Sequence, residues 1–220
     1  MRLYTFAAGP FPKRVLLYIK LKSIPGIEIV NVDIFDGSTK TPEFLAMSPA
    51  GSVPVLMTDG GVCISQSMPI IEYLEELFPA PCMSGSTEAE RRRVGSLCQL
   101  VNEIFYYSKV ALATTVPYLE PYQQKRVPEA SFVGAHLEWS RFEQISRIMG
   151  DGPYLAGDTL TIADVLLFPV VEYTRLVYDR FMPPHLRNLV KWYARMERES
   201  PLPAYEVPEG YHHAMSGGRV

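Results

Sequence analysis

The stretch Gly51-Ser52-Val53-Pro54-Val55-Leu56, followed one hairpin later by Ser65-Gln66-Ser67-Met68-Pro69, decides how the rest of the chain is read. A proline directly ahead of an apolar strand offers no N–H to the sheet and holds the preceding residue in extended geometry. Only an X-Pro bond adopts the cis form cheaply. A cis Val53–Pro54 bond would turn the N–H and C=O of Val53 out of the sheet, where an extended peptide-like ligand can pair with them as an added strand. Gln66 and Ser67 stand where an apolar strand gives way to a helix expected over 69–78. Free N–H groups and the dipole at a helix start attract a carboxylate. Together the two motifs describe a site for a ligand that is extended, peptidic and acidic.

Outward from these motifs, residues 3–6 predict a strand and 7–12 a turn rich in small residues and proline. Residues 13–21 predict a helix with Val15, Leu16 and Ile19 toward a core. Pro25-Gly26 ends it. Alternating apolar residues over 27–34 predict a second strand, and strand, helix, strand implies a parallel pair with a crossover helix. Thr41-Pro42-Glu43-Phe44-Leu45 begins a short helix. Strands over 53–57 and 62–65 are joined by Asp59-Gly60-Gly61, a good hairpin turn. Residues 79–86 have the composition of a linker, and beyond it strand signals stop. Helices are predicted over 87–113, 128–149, 161–176 and 186–198; the third is nearly all apolar at its start and so belongs at the centre of a bundle. Thr161 with Asp164 three residues on is a capping-box pattern worth about 1 kcal/mol, a structural role.

The 220 residues suit one large domain or two small ones. A hydrophobic content of 47% with 20% charged residues is that of a soluble globule, and a net charge of −3 gives no reason to expect nucleic acid or an anionic membrane as partner. No apolar run approaches the roughly 18 residues of a spanning helix, and the first residues read as a strand rather than a signal peptide. A cytoplasmic protein is the expectation. Cys63 and Cys98 lie in apolar periodic segments and read as core filling, with Cys82 exposed. Neither the cysteines nor the four histidines have metal-ligand spacing, so no metal is expected; His212 and His213 read as part of a solvated tail.

Gly-Ser-Val-Pro-Val-Leu followed by Ser-Gln-Ser-Met-Pro-Ile-Ile-Glu-Tyr-Leu resembles the glutathione site of glutathione transferases, where the second motif usually reads Glu-Ser. Asp158-Thr159-Leu160-Thr161-Ile162-Ala163-Asp164 is similar to the capping segment of the buried helix in that family's all-helical domain. The resemblance extends from residue 2 to about 201. It implies an α/β thioredoxin-like N-terminal domain over 1–80, a linker over 81–86 and an all-α helical bundle domain over 87–220.

The resemblance also implies roles. Val53 and Pro54 would hold the cysteinyl part of glutathione, and Ser67 its γ-glutamyl carboxylate. Gln66 in place of Glu keeps acceptor reach but loses a charge for the ligand's amino group, which implies weaker binding. Lys40 meets the glycyl carboxylate or is a solvated loop lysine. Aligning on Arg14-Val15 puts the family's catalytic Ser or Cys at Gly9, in a turn with no hydroxyl or thiol. That turn looks most like the fungal and bacterial members that use no such side chain.

Thiol activation is then expected from the helix start after Gly9. The N–H groups of Phe11, Lys13 and Arg14 would face the sulfur, with a water held by Ser108 and Tyr4 as the alternative donor. A helix start stabilises an anion by up to about 2 kcal/mol, enough to lower a thiol pKa from about 8.5 to near 7. The second substrate is expected to be a small hydrophobic electrophile lying among Phe11, Tyr106, Tyr107 and Leu112. Glutathione enters as a co-substrate. A homodimer is implied, with the helix over 69–78 and the Arg91-Arg92-Arg93 helix at the two-fold interface. Two alternatives stay open. One is a glutathione-dependent isomerase or reductase. The other is a non-enzymatic binding or interaction protein, which the missing hydroxyl and Gln66 would suit.

Overall fold

A computed structural model describes residues 1–34, 36–113 and 128–205. His212 and His213 lie outside the described residues. The first seven elements are β1 (Arg2–Thr5), α1 (Pro10–Leu21), β2 (Glu28–Asn31), α2 (Pro42–Met47), β3 (Val55–Met57), β4 (Cys63–Ser65) and α3 (Ser67–Leu77). The sheet order is β2-β1-β3-β4, with β1 and β2 parallel and the other two pairs antiparallel. The parallel pair is joined over α1, as a crossover requires. β3 and β4 meet through the glycine turn, where the Thr58 N–H donates to the Val62 carbonyl at 2.9 Å. Four helices follow: α4 (Glu88–Ala113), α5 (Pro128–Met149), α6 (Ile162–Tyr178) and α7 (Arg187–Glu199). This is a thioredoxin-like α/β unit followed by a helical bundle.

Two local departures from the sequence reading bear on the site. α1 starts at Pro10 rather than Lys13, because proline is favourable in a first helical turn, where its missing N–H would be unpaired anyway. α3 starts at Ser67, two residues before Pro69, for the same reason. β2 is shorter than its alternation suggests. It is an edge strand on which Ile29 stays 48% exposed.

One apolar cluster runs from Leu3 and Leu56 on the α1 face of the sheet, through Val15, Leu17 and Ile70, to Val101, Leu166 and Trp192 in the bundle. A second, smaller cluster of Val32, Phe44 and Val55 fills the opposite face beneath α2. α6 is buried along its first thirteen residues, consistent with its central place. Asp164 caps it, accepting from the N–H groups of Thr161 and Leu155 and from Trp192 Nε1, each at 2.8 Å. The segment between α3 and α4 is held by Glu75, which accepts from the N–H groups of Met83 at 2.7 Å and Ser84 at 2.9 Å and also binds Tyr18 and Lys22. No helix among the described residues is long and apolar enough to cross a membrane.

Candidate functional site

Strand register brings three segments to one edge of the sheet. Tyr4 pairs with Val55, and Val55 with Ser65, so the end of β1, the start of β3 and the end of β4 lie side by side. The turn over 6–9, the stretch 51–54 and the pair Gln66-Ser67 therefore converge.

The middle segment is built on Gly51. Its φ is +57°, a value that favours glycine, and a Cβ there would lie 2.8 Å from Lys40 Nζ and 2.9 Å from the Thr39 carbonyl. Lys40 donates to the Gly51 carbonyl at 3.1 Å, and Ser48 Oγ donates to that of Ser52 at 2.9 Å. The Val53–Pro54 peptide is cis. Among the described residues no hydrogen bond engages the N–H or C=O of Val53. The unpaired edge anticipated for a cis bond is present, with Lys40 beside it.

At the third segment, Gln66 has φ +75° and ψ 141°, a region that costs a non-glycine residue about 1–3 kcal/mol and is found mostly at functional sites. Ser67 opens α3 and is 4% exposed. The Ser67 hydroxyl and the N–H groups of Ser67 and Met68 have no partner among the described residues, and Pro69 has no N–H. The first helical bond is from the Ile70 N–H to the Gln66 carbonyl at 3.3 Å. Strain at Gln66 thus presents unpaired donors and the positive end of α3 to the mouth of the site.

At the first segment the structure corrects the expected donor set. The Gly9 N–H is taken up by the Phe6 carbonyl at 3.0 Å, and the Lys13 N–H by the Gly9 carbonyl at 3.0 Å. Arg14 lies inside α1, and Pro10 and Pro12 have no N–H. Only the Phe11 N–H remains at this helix start.

Ser108 is corrected as well. It is 1% exposed, and its hydroxyl faces the Ile104 carbonyl at 2.9 Å and Glu138 at 2.5 Å, with Arg180 on the far side of that carboxylate. Its one proton is engaged by these two acceptors and the side chain is buried, so Ser108 does not donate to a water over the turn. Burial raises the Glu138 carboxyl even though Ser108 and Arg180 oppose it. Tyr4 lies on the opposite face of the sheet from α1, edge-on to Phe44 at 6.5 Å.

Of the expected electrophile residues, Phe11 meets Phe105 edge-to-face with ring centroids 4.6 Å apart. Helical spacing puts Phe105, Lys109 and Leu112 on one face of α4, and Lys109 Nζ stands 5.0 Å from the Phe105 centroid. Tyr106 is turned to solvent at 61% exposure, and Tyr107 lies beneath Arg141 of α5. Phe105 is buried and forms the wall against Phe11. On the other side of the turn is a cavity of about 390 Å³ between Ala7, Ala8, Leu16, Asn31 and residues 202–205. Its wall is fixed by Lys13, which pairs with Glu172 at 2.5 Å, donates to the Pro203 carbonyl at 2.8 Å and lies 4.1 Å from the Tyr205 ring centroid. Nothing in the local pattern of residues 202–205 signalled that contribution. No group of three or more potential metal ligands occurs among the described residues.

Comparison with known proteins gives matches over both halves of the chain. Residues 8–77 match the model of the glutathione S-transferase N-terminal domain, and 141–195 that of the C-terminal domain. Glutathione S-transferase 2 of Saccharomyces cerevisiae is 29% identical over 208 residues, covering 90% of this chain and 86% of that protein. Maleylacetoacetate isomerase of Pseudomonas aeruginosa is 29% identical over 170 residues, with 77% of this chain and 79% of that protein covered. The crystal structure of Gtt2 from Saccharomyces cerevisiae superposes with a TM-score of 0.77 at 26% identity, over 91% of this chain and 97% of that one.

Proposed function

The chain belongs to the glutathione transferase superfamily, and from that premise we propose that it binds glutathione at the three converging segments and transfers its sulfur to a small hydrophobic electrophile. The observation that carries this is the strained Gln66 beside unpaired N–H groups at Ser67 and Met68, at the same sheet edge as the unpaired Val53 backbone. The γ-glutamyl carboxylate would lie on the α3 start, with Ser67 donating its hydroxyl. The cysteinyl backbone would pair with Val53 and the glycyl carboxylate would approach Lys40. Gln66 would accept from the ligand's ammonium group without the charge a Glu would add.

This places the thiol over the turn at Gly9 and Phe11. The α1 dipole and the Phe11 N–H would favour its thiolate by up to about 2 kcal/mol, bringing a pKa of about 8.5 to near 7. The thiolate attacks an electrophilic carbon; a C–S bond forms and a leaving group departs or an activated double bond takes the pair. Phe11 and Phe105 on one side, and the cavity lined by Leu16 and Tyr205 on the other, give apolar walls for that partner. Retention on immobilised glutathione together with conjugation of a generic aryl halide is the expected result. Binding with no turnover over a broad electrophile panel would contradict the transfer step.

The relatives named maleylacetoacetate isomerase favour a second reading. Glutathione would then add reversibly to a double bond and leave after rotation, so the thiol is recovered. Isomerisation of a cis-unsaturated oxo-acid with no loss of free thiol would select it over conjugation.

Assembly as a homodimer through α3 and the start of α4 belongs to the same proposal. A groove of about 310 Å³ between these helices, lined by Met68, Glu72, Glu76, Arg91 and Val94, supports it. The arginine run is itself tied within the chain: Arg91 to the Ser86 carbonyl, Arg92 to Glu88 and Arg93 to the Ile148 carbonyl. Sedimentation at micromolar concentration should give twice the chain mass; a monomer would contradict it.

A further inference from the structure

Among the described residues, Arg14 is a buried cation without an anion. It is 1% exposed. Its Nε donates to the Leu166 carbonyl of α6 at 2.8 Å, and its Nη1 to Asn102 Oδ1 of α4 at 3.0 Å. Its Nη2 is buried with no partner, and no carboxylate lies within ion-pair distance of it among the described residues. Buried charges are ordinarily paired, because an uncompensated one costs several kcal/mol. Burial accordingly pulls this guanidinium down to about 10.

The titratable groups that face Arg14 among the described residues include no carboxylate. They are Cys98 and Tyr106 of α4 and Tyr205 of the C-terminal segment, and burial pushes the Cys98 thiol up to about 12. On α6 the acids are engaged elsewhere, Glu172 with Lys13 and Asp164 with its cap donors. On α1 itself the neighbouring charge is Lys13, already paired.

The position of Arg14 gives that charge a use. It lies about one helical turn, roughly 5 Å along the axis, below Pro10 and Phe11. Its guanidinium carbon is 4.8 Å from the Phe11 ring centroid. The Phe11 ring it stands against is apolar and screens poorly. We propose that Arg14 is the fixed counter-charge of the bound thiolate: it holds a positive potential under the turn at Gly9 and Phe11, supplementing the single N–H left at that helix start. Arg14 does not touch the reacting atoms, and its part is a positioning one. The inference rests on the glutathione reading above. A unit charge on the order of 10 Å from the sulfur, in a medium of effective dielectric about 20, shifts a thiol pKa by about one unit.

The test is the pH titration of the ultraviolet thiolate absorbance of glutathione bound to the whole protein. Arg14→Gln should raise the midpoint by about half a unit to one unit, and Arg14→Lys, which keeps the charge, should leave it within about 0.3 unit. A purely structural latch would lower the melting temperature in both variants without moving either midpoint, and that result would overturn the inference. Because Arg14→Gln also removes the ties to α4 and α6, Asn102→Asp is the decisive companion. It puts a carboxylate beside the guanidinium and cancels the charge without removing it. A raised midpoint in Asn102→Asp supports the proposal, whether or not Arg14→Gln folds; an unmoved midpoint overturns it. If the unaltered protein does not bind glutathione by calorimetry, the proposed function falls first and this inference with it. Binding with unmoved midpoints removes only the role of Arg14.

Discussion

Replacing Glu75 by Gln tests how the two halves of the molecule are joined. Glu75 binds Lys22 and Tyr18 of the first unit and the N–H groups of Met83 and Ser84 in the connecting segment. The Lys22 side chain is fully buried and that of Glu75 is 12% exposed, so the pair is a buried one. Gln keeps an acceptor for the two N–H groups but leaves the Lys22 ammonium uncompensated. Breaking a buried pair from one side costs about 3–5 kcal/mol. At about 2–4 °C per kcal/mol for a chain of this size, the melting temperature should fall by about 6–20 °C at pH 7.

The pH dependence adds a second check. Burial alone would raise the Glu75 carboxyl, but the hydrogen bonds from Lys22, Tyr18 and Met83 outweigh it and hold the group below its ordinary value. A depressed carboxyl contributes its stability in full above its unfolded pKa, about 4.3, and loses it as pH falls through the folded value. The difference between the two proteins should therefore narrow on acidification below about pH 4. Thermal unfolding followed by circular dichroism at neutral and acid pH measures both. A neutral-pH difference under about 2 °C would refute the reasoning, since it would put the pair below 1 kcal/mol. A difference that does not narrow in acid would refute the assigned charge state.

Gly134→Ala should destabilise by about 1–2 kcal/mol, because its Cβ would meet the Ala111 nitrogen at 2.5 Å and the Tyr107 carbonyl at 2.9 Å, only partly offset by better helix propensity; an unchanged denaturation midpoint would mean that α4 and α5 separate freely. Tyr4→Phe should leave the thiolate midpoint of bound glutathione where it is, since Tyr4 lies across the sheet from α1; loss of the thiolate band would restore a side-chain hydroxyl to the mechanism. Gln66→Gly should relieve the positive φ and raise stability by about 1 kcal/mol while weakening glutathione binding; equal affinity would show that the Gln66 side chain does not reach the ligand.

Much of the fold could be read in the chain because each half has its own periodicity and punctuation. Asp59-Gly60-Gly61 and the alternation around it marked β3 and β4, and the three- and four-residue apolar steps of α4 to α7 marked the bundle. Thr161 and Asp164 announced their cap, and Pro54 its place ahead of a strand. The readings failed where tertiary contact decides. The prolines of 7–12 were read as a turn, although α1 begins at Pro10, and that early start removes the Lys13 N–H from the donors. Ser108 has no sequence mark of its tie to Glu138, thirty residues on, so a buried hydroxyl was read as a free one. That no described residue supplies a counter-ion for Arg14 is visible only once α4 and α6 are folded against α1. The segment at Tyr205 joins the site through Lys13, a contact 192 positions apart that no local pattern records.

The central claim is that the start of α3 and the Val53 edge hold glutathione. It is tested most directly by calorimetric titration of glutathione into the unaltered protein and into Ser67→Ala. The Ser67 hydroxyl has no hydrogen-bond partner among the described residues, so its removal should leave the melting temperature unchanged. A hydrogen bond to a charged group is worth roughly 1.5–3 kcal/mol, so the Kd should rise at least tenfold. Equal Kd values for the two proteins, or no heat of binding in the unaltered one, would contradict the assignment of this edge as the glutathione site.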